Sequence, residues 1–244
     1  MSKVVATTVL PDSSASDLLT IGATSDSVAI SGDSLNVDTL QDAGGNTIFV
    51  SDGSGTITSK NSGFPGALNL ISTATPSGAA NVSITSGLDS TYDVYCFRYY
   101  DVNPDTDGAY FQFQANAAGG SGYNETMTTT AFRAINHETS GTTSLNYETG
   151  EDQANGTNYQ SISYSVGNAA DECLAGELYL FGPASTTYVK HFYVRNISTN
   201  ANDYAIDYYV AGYYNTTAAI DEIDFKMDTG NFDGIIKLYG ISKS

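Results

Sequence analysis

The sequence predicts an all-β protein: a short-stranded N-terminal stem or docking arm, then an antiparallel β-sandwich head of jelly-roll-like type. Three observations carry this reading. The 244 residues include 18 Tyr and 10 Phe but no Trp, and Ser, Thr, Asn and Gly fill most polar positions, which favours strand over helix. Apolar and polar residues alternate with period two in one segment after another, with no convincing helical period. Gly, Asp and Asn-Pro punctuation separates these segments at short spacing, as tight turns do.

Residues 1–60 hold short apolar bursts: LLTIG at 18–22, SVAIS at 27–31, LNVDTL at 35–40, TIFVSD at 47–52 and GTITS at 55–59, with Phe49 the one aromatic. Strands this short, in a region this size, are starved of core when alone. Their apolar faces bury more readily against other copies, so the region reads as an attachment and trimerising β-stem. A partly disordered Ser/Gly-rich tail is the competing reading. SKNSGFPGA at 59–67 marks a hinge, placed at 61–66.

From residue 67 to 244 the segments lengthen and become aromatic. ANVSITS (80–86) opens the set, followed by YDVYCFRYYD (92–101), AYFQFQAN (109–116), YQSISYSV (159–166), ELYLFG (177–182), TYVKHFYVRN (187–196), DYAIDYYVAGYY (203–214), IDEIDFKM (220–227) and IIKLYGI (235–241). In IDEIDFKM the alternation sets Ile223, Phe225 and Met227 against Asp224 and Lys226. In YQSISYSV it puts Ile162, Tyr164 and Val166 on one face. About eight to ten half-buried antiparallel strands make a sandwich that can fold by itself. Segments 117–130, 138–158 and 196–203 read as long loops.

Charge narrows the partners. Nine Lys and Arg against 27 Asp and Glu give a net charge of −18, which repels nucleic acid and anionic membranes. No window is apolar enough to span a bilayer, and MSKVVATTVLPDSS carries no secretory pattern, so synthesis in a cytoplasm is expected. Cys96 and Cys173 lie far apart without CxxC spacing and read as buried strand thiols; a disulfide is the lesser reading.

The closing Phe232, Gly234, Ile235, Lys237, Leu238, Tyr239, Gly240 and Ile241, with the runs SGLDSTYDVYCFRYYDVNPDTDGAYFQFQ (86–114), ELYLFGPASTTYVKHF (177–192) and YYVAGYYNTTAAIDEIDFKMDTGNFDG (208–234), resemble virion structural proteins of marine tailed bacteriophages. The N-terminal texture resembles the stem or attachment regions of phage fibres. The resemblance implies a trimeric particle protein with an exposed C-terminal head, located in the virion, and transfers no catalytic residue. Tail fibre, head fibre and capsid decoration all remain open under it.

Few motifs in the sequence carry chemistry. In DVNPDTDG (101–108), Asp101, Asn103, Asp105 and Asp107 place oxygen-bearing side chains at every second position, a spacing that suits a weak calcium loop. Strand-like flanks and the turn-forming Asn-Pro and Asp-Gly pairs favour a plain hairpin connection instead. His137 and His191 accompany no GxSxG elbow. Glu138, Glu148, Glu151, Asp152, Asp171 and Glu172 crowd 137–173, and paired carboxylates would serve a polysaccharide hydrolase, the remote alternative. GGSG at 119–122 lacks the lysine of a phosphate loop, and no zinc spacing exists. What remains is a recognition surface rich in Tyr, Asn, Ser and Gly, with Tyr123 and Tyr147 as ligand-contact candidates. The expectation is therefore a non-enzymatic fibre protein without a cofactor. Its N-terminal region would bind other virion proteins and its head a host glycan; a structural decoration trimer is the alternative.

Overall fold

The computed structural model describes residues 39–42, 45–54, 56–60 and 67–242. The segments 18–22 and 27–31, most of 35–40 and the hinge 61–66 lie outside them. Contacts divide the chain into two compact units, Met1–Phe64 and Pro65–Ser244.

In the first unit, β1 (Thr39–Gln41), β2 (Thr47–Ser51) and β3 (Ile57–Lys60) form an antiparallel meander. Its turns are held by side-chain carboxylates. Asp42 accepts the Asn46 N–H at 2.9 Å, and Asp52 accepts those of Ser54 and Thr56 at 2.8 and 3.1 Å. Hydrogen bonds from Ser54, side chain and backbone, and then from Thr56 lower the Asp52 carboxyl to about 2. Phe49 and Val50 are half-buried, and no described side chain of this unit is fully buried.

The second unit has twelve strands: β4 (Leu68–Ala74), β5 (Asn81–Ile84), β6 (Val94–Pro104), β7 (Phe111–Ala117), β8 (Met127–His137), β9 (Thr143–Tyr147), β10 (Gln160–Ser161), β11 (Leu174–Phe181), β12 (Lys190–Thr199), β13 (Tyr204–Tyr214), β14 (Ile220–Met227) and β15 (Phe232–Ile241). All pairings are antiparallel. One sheet runs β4-β15-β6-β11-β12-β13-β8-β9 and the other β10-β7-β14-β5. With the pairs β8–β9 and β12–β13 set aside, β4-β15-β6-β11 faces β5-β14-β7-β10, the interleaved order of a jelly roll. The two inserted pairs widen one sheet only. First and last strands are neighbours, and Leu68 pairs with Ile241.

The core fills the space between the sheets. Phe97, Tyr99 and Phe192 from the wide sheet meet Phe111, Phe113 and Phe225 from the narrow one, and all six are 2% exposed or less. Phe225 is the hub, its ring centroid 5.5 Å from Phe97 and 5.7 Å from Phe111. Burying each such ring contributes about 1.5–3 kcal/mol. Some of the polar atoms inside are paired, while the Tyr208 and Tyr214 hydroxyls are buried without a hydrogen-bond partner among the described residues. The Tyr99 hydroxyl donates to Asn196 Oδ1 at 2.5 Å, and the Asn196 amide donates to the Ile162 carbonyl. Lys190, fully buried, donates to the carbonyls of Tyr188 and Thr216 at 2.9 and 3.3 Å.

Several expectations need correction. LNLISTA forms β4 and opens the head ahead of ANVSITS, because its backbone pairs with the distant β15. DVNPDTDG is no hairpin loop. Asp101 (φ 55°) is an extra residue in β6, where register slips against both β11 and β15, and the chain then crosses to the other sheet as β7. Opposite this bulge, Gly234 (φ 152°) lies where a side chain would meet the Val102 Cα at 3.1 Å. Within 159–166 only Gln160–Ser161 is strand; Ser165 takes a φ of 49°, although Ile162 and Val166 are still buried. The expected loop 138–158 contains β9, and those at 117–130 and 196–203 are shortened by β8 and β12.

Candidate functional site

Alternation along β7 sends Phe111, Phe113 and Ala115 inward and Gln112, Gln114 and Asn116 outward, yet Gln114 and Asn116 are 0% and 3% exposed. Two loops, 118–126 and 148–159, fold over them. The Gln114 amide donates to the carbonyls of Glu125 (3.1 Å), Thr157 (3.2 Å) and Asn158 (3.0 Å), latching both loops with one side chain. Asn116 accepts the Tyr123 N–H at 2.7 Å and donates to Glu222 at 2.8 Å. The Glu125 carboxylate turns back to the Ala117 N–H at 2.9 Å.

On β14 the outward Asp224 is 1% exposed and accepts from Asn81 (2.7 Å), Ser83 (2.6 Å) and the Tyr159 hydroxyl (2.9 Å). Burial, then that hydrogen bond, pushes the Tyr159 hydroxyl well up. The Lys226 ammonium lies 4.2 Å from the centre of the Tyr159 ring.

These latches leave a polar cleft of about 610 Å³ between the loops and the narrow sheet. Tyr123, Asn124, Asp152, Asn158, Tyr159 and Lys226 are among the residues that line it. Tyr123 is half-buried and holds a φ of 48°, and burial raises its hydroxyl pKa. Of the two expected contact residues, Tyr123 forms part of the wall. Tyr147, 52% exposed on β9, reaches the cleft through its hydroxyl, which donates to Asp152 at 2.6 Å. Tyr159, Lys226 and the amide Gln112 join the lining without having been singled out by the sequence.

The other candidates disperse. The Asn103 amide donates to the Glu172 carbonyl at 2.6 Å, and Asp105 accepts the Asn231 N–H at 2.9 Å, while Asp101 and Asp107 are exposed. Among the described residues no group of three or more His, Cys, Asp or Glu is placed to hold a metal ion. Of the crowded carboxylates, Glu151 and Asp152 line the cleft, Glu148 lies 3.0 Å from Arg133, and Glu172 accepts the Ala169 N–H at 2.8 Å. Glu138 sits just after β8, where its N–H bonds the Asp203 carbonyl, and Asp171 is exposed. His137 Nδ1 accepts backbone N–H groups of Thr139 and Ser140 at 3.1 and 3.2 Å. His191 faces outward on β12 beside Tyr213.

Both cysteines are free. Cys96 is buried in β6 as expected, with burial raising its thiol pKa, whereas Cys173 is exposed just before β11 and corrects the expectation of two buried strand thiols. No family model matches the chain, nor does any curated protein or solved structure.

Proposed function

We propose that this chain is a non-enzymatic, homo-oligomeric virion fibre protein. Residues 1–60 attach it to the particle and associate in threes, and the head binds a host-surface glycan in the cleft of the narrow sheet. The observation that carries the reading is the lining of that cleft. Tyr123 and Tyr159 offer ring faces for the C–H face of a sugar, and Asn124, Asn158 and Asp152 offer the paired donors and acceptors that hydroxyl groups need. A roomy cleft with a few convergent polar groups on a rigid sheet is the usual form of a ligand site. Glu151 and Asp152 outnumber Lys226 there, so an uncharged saccharide fits better than a polyanionic one. The jelly roll and the resemblance to phage virion proteins support the particle setting.

The test is capture of the full-length chain on a panel of neutral and acidic bacterial glycans. Tyr123→Ala and Asn158→Ala should each weaken retention by about tenfold or more. Retention of anionic glycans alone, or equal retention by both variants, would remove the cleft from the reading. Gold-labelled antibody on intact particles locates the protein: label at the tail supports a fibre, and label over the shell makes it a decoration protein.

A further inference from the structure

The outer face of the eight-stranded sheet is built quite differently. Register aligns one cross-strand row from Phe132 through Tyr209, Arg195, Glu177 and Arg98 to Lys237. The adjoining row runs Tyr193, Tyr179, Cys96 and Tyr239. Rings brace each other across strands: Phe132 on Tyr209 at 4.7 Å and Tyr179 on Tyr193 at 4.9 Å, both stacked. Beside them stand Ile197, 60% exposed, and Leu145, 72% exposed. A groove of about 410 Å³ between Arg98, Glu177 and Ile197 indents the surface.

Charge selects the occupant. The chain carries −18, and two copies repel wherever that excess is displayed. Among the described head residues, Arg133 and Lys190 are largely buried, with Arg133 15% exposed at its side chain. Of the other four cations, Arg98, Arg195 and Lys237 lie on this face, interleaved with Glu177 and Asp207. It is therefore the part of the head where the acidic excess is cancelled. Its composition of Tyr, Phe and Arg is that of a protein–protein contact. Its size suffices too: eight strands about 4.8 Å apart, of five to eleven residues each, give a face of about 1,000 Å². A specific interface takes about 800 Å² from each partner.

We infer that this face seats a second copy of the same chain. The inference rests on the homo-oligomeric part of the reading above and adds where the heads touch. The contact leaves the cleft free: the cleft lies over the narrow sheet, and the wide sheet reaches it at its β9 edge, through the Tyr147 hydroxyl on Asp152.

The test is sedimentation velocity of the full-length protein over a range of concentrations, for wild type, Tyr193→Glu and Ile197→Glu. Thermal melts check that each variant folds, and hydroxyl-radical footprinting of wild type provides a measurement that needs no variant. The expected result is a multimer whose head contact weakens at least tenfold in both variants, with Tyr193 and Tyr179 protected from oxidation as concentration rises and glycan capture unchanged. A single-chain mass for wild type at every concentration would overturn the inference and the oligomeric reading together. A multimer untouched by both substitutions, with Tyr193 unprotected, would overturn the inference alone. Loss of glycan capture with the mass intact would reassign the face to sugar and overturn it as well.

Discussion

The two outer faces of the head grow from the same alternating strands and end up opposite in character. On the narrow sheet, outward amides and carboxylates (Gln114, Asn116, Asp224) recruit two loops and a tyrosine, and are buried by what they bind. On the wide sheet, outward Tyr179, Tyr193 and Arg195 pair with neighbours in the same sheet and stay at least partly open to solvent. The difference teaches that a face's polarity decides what covers it. A buried amide must find partners, so it draws backbone onto itself. A ring packed on the next ring makes no such demand and can stay open to solvent.

The largest expected effect strikes both faces at once, through alkali. Burial first, then neighbouring groups, pushes Tyr110 and Tyr179 up to about 12, and burial raises Tyr208 and Tyr214 further still. A free tyrosine titrates near 10. The folded chain therefore keeps protons that the unfolded chain gives up. The stability these tyrosines add is complete below about pH 10 and is lost as pH rises through about 12. Lys190 runs the other way: burial lowers its pKa, so its penalty eases as pH climbs towards about 10.4. The tyrosines outnumber it. Urea midpoints should fall between pH 10 and 12, with tyrosinate absorbance appearing together with unfolding; ionisation in a still-folded protein would show that these hydroxyls reach solvent without unfolding.

Next comes the shared foundation. Phe225→Ala should cost about 3–5 kcal/mol in urea unfolding and disturb both surfaces, because its ring touches both sheets. Gln114→Ala separates them. It leaves three carbonyls unlatched, should cost about 1–3 kcal/mol, and should speed hydrogen exchange in 118–126 and 148–159 while β11, β12 and β13 exchange as before. Equal acceleration across the wide sheet would mean the two faces are not independent. The smallest effect belongs to the wide face: Glu177→Gln removes a contact of 3.5 Å to a half-exposed Arg98 and should change stability by less than about 1 kcal/mol. A larger loss would make that row a structural element of the fold itself.

Much of the sandwich was legible because alternation is local. Along β12 every second residue from Lys190 to Ser198 is buried, and β14 separates Ile223, Phe225 and Met227 from Lys226 as expected. Asp224 breaks the pattern: it faces outward, yet is buried by Tyr159, Asn81 and Ser83, which come from distant segments. Partner choice is non-local, and it is where the sequence misleads. Nothing within DVNPDTDG says that the strands on either side join different sheets. Nothing in Gln114 says that its amide will join loops 11 and 44 residues away. Tyr123 could be picked from its Gly/Asn surroundings, but Tyr159 and Lys226 enter the cleft only once β10 and β14 take their places beside β7.

The adjacency of first and last strands has a mechanical meaning. Any pull delivered to the head through residue 67 arrives first at β4, an edge strand held by one neighbour, β15. Traction along β4 would load its six paired positions, Leu68 against Ile241 through Ala74 against Ile236, together and in shear. Traction across the strand would open them one at a time, beginning at Leu68, where the Asn69 amide bonded to Ser242 at 2.9 Å is the first clasp. The same ladder is thus a strong tether in one direction and a zipper in the other, and the angle of the pull selects between them.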